Sequence, residues 1–283
     1  MFNAEQLSQF IASAFREDIG DGDHTSLSTI PAEACGKAKL LVKEAGILAG
    51  VEVAVLIFKQ FDPAMSVEVF LTDGTRVKPG DIAFIVSGRV LSILQCERTV
   101  LNVMQRMSGV ATQTEIYANR LKGLKTKVLD TRKTTPGMRM LDKAAVKIGG
   151  GENHRMGLFD MILIKDNHID FAGGIENAIL AARKYLKDKK KTLKIEVEAR
   201  SLEDIRRILA VGGVDRIMLD NFSLENTRKA VALIAGQVET ESSGGITLET
   251  LKEYAECGVD YISVGALTHQ IKSIDLSLKA IDF

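Results

Sequence analysis

Beyond Gly109 the chain alternates strand-like runs with helix-like segments, and no other feature of its 283 residues restricts the fold as much. The runs at 126–130, 160–164, 193–198, 215–219, 236–241 and 259–264 predict strands, with helices at 175–186, 202–209, 224–234 and 248–257 between them. Strands joined through helices run parallel, and runs with little polar alternation fit strands covered on both faces. A barrel is the natural candidate. In such barrels the functional groups gather where the strands end. Those ends are Asp130-Thr131-Arg132-Lys133, Lys165-Asp166, Glu198, Asp220-Asn221, Glu241-Ser242-Ser243 and Gly265. One charged end is ordinary boundary polarity, whereas six consecutive ends in ionisable, hydroxyl or glycine residues indicate a site.

The N-terminal part follows a different pattern. Residues 4–18 place Leu7, Phe10, Ile11, Ala14 and Phe15 on one helical face, which Gly20-Asp21-Gly22-Asp23 breaks. Ala32 stands where a calcium loop would need its later carboxylate, so this acidic stretch is expected to be a turn. Residues 36–88 hold short β-like runs around a helix at 51–61, a small α+β domain. Residues 91–108 predict a further helix, on which Arg98 is a solvated charge unless a ligand or neighbouring subunit meets that face. The expected division is an N-terminal domain at 1–102 and a barrel at 103–270, with 271–283 packing back on the first domain.

Lys plus Arg and Asp plus Glu each number 37, so the balance of charge gives no support to nucleic-acid or membrane binding. A small anion is the better partner. Cys35, Cys96 and Cys257 are widely separated without a CxxC spacing, which fits thiols in a reducing cytoplasm and implies no zinc site. The N-terminus lacks the cationic start and apolar core of a signal peptide. The most apolar run, 47–61, is interrupted by Glu52 and Lys59 and is too short for a bilayer core of about 30 Å. A soluble, cytoplasmic protein is expected.

Three constellations carry chemistry. Ser243, Gly244 and Gly245 precede a helix-like segment from Thr247, and VGALTH repeats the device one unit later, so backbone N–H groups can hold phosphate there. Glu198 and Asp220, at neighbouring strand ends, can hold Mg²⁺ bridging to phosphates, or else pair with Lys or Arg. Arg132, Arg155 and Lys165, with His154 in the glycine-rich loop GGGENHRMG, suit a dicarboxylate gripped in one orientation. Lys143 and Lys147 are expected to be solvated helix charges.

The motifs DTRKTTPG, GGGENHRMGLFD, LIKDNHI, LDNF, ESSGGI and VGALTH, taken in order, resemble those of the quinolinate phosphoribosyltransferase family, and the resemblance covers nearly the whole chain. It implies an α/β sandwich domain beside an incomplete (β/α) barrel of about six strands. It also implies a homodimer, or a higher homo-oligomer built from it, in which Arg98 crosses into the neighbouring subunit's site. By the same resemblance Arg132, His154, Arg155 and Lys165 bind quinolinate, and Lys133 lies near 5-phosphoribosyl 1-diphosphate. Glu198 and Asp220 serve the ribose and Mg²⁺, while Ser243, Gly244, Gly265 and His269 hold the 5′-phosphate. Ala199-Arg200 and Gln270 depart from the family's usual residues. The rival readings are a related protein associated with molybdate transport, a class I aldolase using Lys165 as a Schiff base, and a non-catalytic phosphometabolite-binding regulator.

Overall fold

The computed structural model describes residues 3–281. They fall into two compact units. The first holds the chain up to Glu115, Thr134–Gly150 and the chain from Leu267 onward; the second holds Ile116–Lys133 and Gly151–Ala266.

In the first unit, α1 (Ala4–Ile19) starts at Asn3, whose side chain accepts from the Gln6 N–H at 3.0 Å, and it buries Leu7 and Ile11. The acidic turn that follows is itself a helix start. Asp23 accepts from the Ser26 N–H at 3.0 Å and caps α2 (His24–Thr29), a short helix the apolar pattern does not reveal. Next come β1 (Cys35–Val42), β2 (Gly46–Ile47), α3 (Val51–Phe61), β3 (Ser66–Val69), β4 (Arg76–Val77) and β5 (Ile82–Arg89). Strands β1, β5 and β3 form an antiparallel sheet whose other edge is the C-terminal strand Leu276–Ile281, paired along β1. Ala38, Leu40 and Val42 alternate to the buried face of β1, and Phe58 of α3 meets Phe84 of β5 edge to face at 5.9 Å.

Helix α4 (Val90–Arg120) runs well past residue 108, where the sequence predicts its end. Gly109 is not a terminator. A Cβ there would come within 2.4 Å of the Lys272 carbonyl oxygen, so glycine permits close approach of the backbone. From α4, Arg106 grips Asp142 of α5 (Arg139–Ile148) with two bonds of 2.8 Å and also donates to the Thr268 carbonyl at 3.1 Å. Lys147 is exposed as expected, but Lys143 is fully buried. The reason is its place on the packed face of α5 with Leu141, Asp142 and Val146.

The second unit is a mixed α/β body with one parallel sheet. Its strands are β6 (Lys127–Leu129), β7 (Ile162–Ile164), β8 (Ile195–Ala199), β9 (Arg216–Asp220), β10 (Glu239–Ser243) and β11 (Tyr261–Ser263). Their order, β6-β11-β10-β9-β8-β7, pairs the first strand with the last, while β6 and β7 do not pair. The sheet therefore curls into a barrel left open between its first two strands. Into that opening runs residue Glu152, bridged to Leu129 of β6. Helices α6 (Asp166–Phe171), α7 (Ile175–Asp188), α8 (Leu202–Val211), α9 (Leu224–Ile234) and α10 (Leu251–Glu256) make the connections. On β8 and β9 the buried apolar residues Ile195, Val197, Ala199, Ile217 and Leu219 share one face, and Glu196, Glu198, Arg216 and Asp220 share the other.

Candidate active site

The ends of β9 and β10 are locked together. Ser243 stands beside Asp220 in the ladder, and Asn221 donates its backbone N–H to the Ser243 carbonyl at 2.8 Å and its side-chain amide to Asp220 Oδ2 at 2.7 Å. Gly244, with φ +96°, lies so close that a Cβ would be 2.2 Å from Asn221 Oδ1. The loop from Ser243 does not open directly into a helix, as the sequence predicts. A turn at 248–250 intervenes and α10 starts at Leu251; the Thr247 N–H donates to Thr250 Oγ1 at 3.1 Å, and the Thr247 carbonyl accepts from the Leu251 N–H at 2.9 Å. Gly265, in contrast, does lead directly into the short helix Ala266–His269.

Glu198 lies one strand away, buried, with Lys165 Nζ 3.5 Å from its Oε2. Burial pushes the Glu198 carboxyl up; Lys165 opposes and the Asp220 carboxylate adds to the rise. Two carboxylates on adjacent strands offer the hard oxygen donors a divalent cation such as Mg²⁺ prefers. The departure at Ala199-Arg200 falls outside this group: Ala199 is fully buried, and Arg200 pairs with Asp170 of α6 at 2.7 Å.

Arg155 follows the short extended segment beside β6. Its Nη1 donates to the Met161 carbonyl at 3.1 Å, and its buried Nε has no hydrogen-bond partner among the described residues. Burial and then the neighbouring Arg132 guanidinium lower its pKa. Two neighbouring guanidinium groups make a receptor for an anion. The loop after Arg155 is shaped by Asp160, which accepts from the Met156 and Gly157 N–H groups at 2.7 and 2.9 Å. Lys133 is exposed beyond Arg132. Arg98, exposed on α4, and His269, exposed at the end of its short helix, belong to the first unit.

Beneath these groups is a buried cluster that the strand-end rule misses. His154 Nε2 lies 3.0 Å from Glu196 Oε2 and 3.4 Å from Glu241 Oε2, and Arg216 Nη1 donates to the same Glu241 oxygen at 3.1 Å. Burial would lower the His154 pKa, but the two carboxylates outweigh it and raise it to about 9. The Arg155 backbone N–H, however, donates to His154 Nδ1 at 2.7 Å, which requires Nδ1 unprotonated. That contact favours a hydrogen on Nε2, against the pull of the two carboxylates. Glu196 is driven up by burial and by Glu241 beside it, whereas, against burial, His154 and Arg216 hold Glu241 down. The signal in the sequence was the pair Glu196 and Glu198, spaced to share one strand face.

A parallel barrel whose strand ends set guanidinium groups against carboxylates and a glycine-bearing loop defines a class of enzymes that handle anionic substrates. Comparison narrows the class. The quinolinate phosphoribosyl transferase N-terminal domain matches residues 23–108 and the C-terminal domain residues 110–279. A nicotinate-nucleotide pyrophosphorylase (carboxylating) of Oryza sativa subsp. japonica is 46% identical over 96% of this chain and 77% of its own. A probable enzyme of the same name from Bacillus subtilis is 41% identical over 98% and 94%. The crystal structure of NadC from Streptococcus pyogenes superposes with a TM-score of 0.93 at 39% identity, covering 100% of this chain and 99% of that one. The chain belongs to the quinolinate phosphoribosyl transferase family.

Proposed function

We propose that this protein transfers phosphoribose from 5-phosphoribosyl 1-diphosphate to the ring nitrogen of quinolinate and releases CO₂, giving nicotinate mononucleotide and diphosphate for NAD synthesis. The observation that carries the reading is the Lys165–Glu198 contact of 3.5 Å, where the cationic groups suited to a dicarboxylate adjoin the carboxylates suited to a ribosyl donor. Arg132, Arg155 and Lys165 hold the two carboxylates of quinolinate, with His154 in the same loop. The nitrogen lone pair then attacks C1′ as the bond to diphosphate breaks. Charge gathers on the leaving diphosphate, which Lys133 stabilises, while Glu198 and Asp220 face the oxocarbenium-like ribose. Loop N–H groups from Ser243 and Gly244, with Gly265 and His269, anchor the 5′-phosphate.

Glu198 and Asp220 would hold Mg²⁺, directly or through substrate and water, and the cation would supply charge neutralisation on the diphosphate. Once the ring nitrogen is quaternary it stabilises the carbanion left at C2 when CO₂ departs, and C2 takes up a proton. That step needs a held geometry more than a strong base. The working unit is a cytoplasmic homodimer in which Arg98 of each subunit completes the other's site.

The decisive assay mixes the protein with Mg²⁺, quinolinate and 5-phosphoribosyl 1-diphosphate and follows nicotinate mononucleotide and CO₂. No product, or equal activity with nicotinate, overturns the reaction. For the dimer, inactive Arg98→Ala and Lys165→Ala chains should regain part of the activity when mixed under subunit exchange. Failure to regain any refutes the shared site.

A further inference from the structure

His154 is held through its backbone N–H and its Nδ1, and its Nε2 lies between two carboxylates. Its backbone N–H donates to the buried Asp130 Oδ1 at 2.9 Å, Nδ1 accepts the Arg155 N–H, and Nε2 faces Glu196 and Glu241. The support continues downward. Arg216, which bonds Glu241, also donates to Glu239 at 3.1 Å and lies with its guanidinium carbon 4.1 Å from the Tyr261 ring centroid. Glu196 and Glu241 are completely buried, and each sits two residues before a strand-end group, Glu198 or Ser243. Burying two carboxylates side by side is unfavourable unless they are paired and held, so an arrangement this deep points to a task.

We propose that Glu196, Glu241 and Arg216 are positioning residues that aim Arg155 at its anionic ligand through the His154 imidazole. The inference rests on the reading of Arg155 as a carboxylate-binding group. The carboxylates orient the ring, and the ring presents Nδ1 to the Arg155 N–H, which fixes the point from which that side chain departs. The Met161 carbonyl then holds one edge of the guanidinium at 3.1 Å. Bidentate recognition of a carboxylate depends on the plane of the fork, so a ring that turns would degrade the grip without touching the substrate. The ligating atoms of His154, Glu196 and Glu241 lie within 4.8 Å of one another, a span a metal ion could use. The Arg216 guanidinium on Glu241 already supplies a neutralising charge, which favours an ion-paired support over a metal centre.

The test compares Glu241→Leu, which removes the carboxylate that His154 and Arg216 share, with Glu241→Gln, which keeps an oxygen in place. Glu241→Leu should raise the quinolinate KM about tenfold or more and leave the KM for 5-phosphoribosyl 1-diphosphate within about twofold, and Glu241→Gln should recover most of the difference. A general structural role would instead lower the Tm and move both KM values together. The crystal structure of Glu241→Leu should show Arg155 withdrawn from the Met161 carbonyl. If that variant does not fold, His154→Asn replaces it. Asparagine keeps an acceptor near the position of Nδ1, so its quinolinate KM should shift less than that of His154→Phe. A folded Glu241→Leu enzyme with unchanged quinolinate KM and unmoved Arg155, or equal shifts in the two His154 variants, overturns the proposal. Inactivity of the wild type towards quinolinate would refute the reaction alone, since the position of Arg155 in the Glu241→Leu crystal structure still decides the dependence.

Discussion

Gly244→Ala strikes where the ends of β9 and β10 interlock. Alanine at φ +96° carries a backbone strain of about 1–2 kcal/mol. Its Cβ would also stand 2.2 Å from Asn221 Oδ1 and 2.6 Å from Cγ, where ordinary contact begins at 3.4 Å. Asn221 cannot withdraw freely, because its N–H bonds the Ser243 carbonyl at 2.8 Å and its amide holds Asp220 at 2.7 Å. Turning that side chain aside costs about 1–3 kcal/mol as overpacking, for a total loss of about 2–5 kcal/mol. It also frees Asp220. Misplacing a reacting group by about 1 Å lowers rates by about 10²-fold, so kcat/KM for 5-phosphoribosyl 1-diphosphate should fall by about that factor. Urea unfolding followed by circular dichroism measures the first effect and initial rates at varied donor measure the second. Adding Asn221→Gly, which suits the positive φ of 54° there and removes the colliding atoms, should recover most of the stability but not the activity. A single variant as stable and active as the wild type, or a double variant no more stable than the single, refutes the reasoning.

Four further outcomes follow from the same geometry. Arg106→Leu leaves the fully buried Asp142 without its guanidinium and should cost about 3–5 kcal/mol in denaturant unfolding, most of it regained in Arg106→Leu/Asp142→Leu; an unaltered midpoint would contradict the buried pair. Glu198→Gln should lower kcat by about 10²–10³. Because the folded carboxyl titrates above its unfolded value, its ionisation penalty is absent below the unfolded pKa and complete above the folded one, so at pH 8 the variant's Tm should be no lower than that of the wild type. Burial pushes the Cys96 thiol up to about 12, so iodoacetamide at pH 8 should modify the exposed Cys35 and spare Cys96 in the native protein, as read by peptide mass spectrometry. Chelation of divalent cations should abolish turnover and added Mg²⁺ should restore it; full activity in excess chelator would remove Mg²⁺ from the mechanism.

The fold was legible where period and punctuation agreed. The segments at 51–61 and 224–234 are helices at those limits, and the six proposed strands all exist, each shorter than or displaced from its run by a few residues. What stayed hidden depended on partners distant in sequence. Gly109 looks like a stop signal, and only the Lys272 backbone pressed against it shows why a glycine stands inside the helix. Lys143 looks like a surface charge, and only tertiary packing shows that its face of α5 is buried. Asp23 looks like part of an acidic turn until its carboxylate is seen to cap the next helix.

The site divides along the same line. Groups at strand ends can be found from a list of where strands stop, but groups deeper in the barrel look like errors in an apolar strand. Glu196, Glu198, Glu239 and Glu241 recur at the two-residue spacing that puts them on one face, and among them the strands themselves supply one cation, Arg216. Buried carboxylates need partners, so an interior this rich in acid demands positive charge or N–H donors from outside the strands. His154 and Lys165 answer that demand, at 3.0 Å from Glu196 and 3.5 Å from Glu198. The acid-rich faces of β8 and β10 thus meet groups that residues 154–165 bring to the open side of the barrel. Arg155, joined to His154 at one end and to the Met161 carbonyl just before β7 at the other, is fixed as a consequence. The cationic loop and the acidic strands, separate motifs in the sequence, are two halves of one electrostatic constraint.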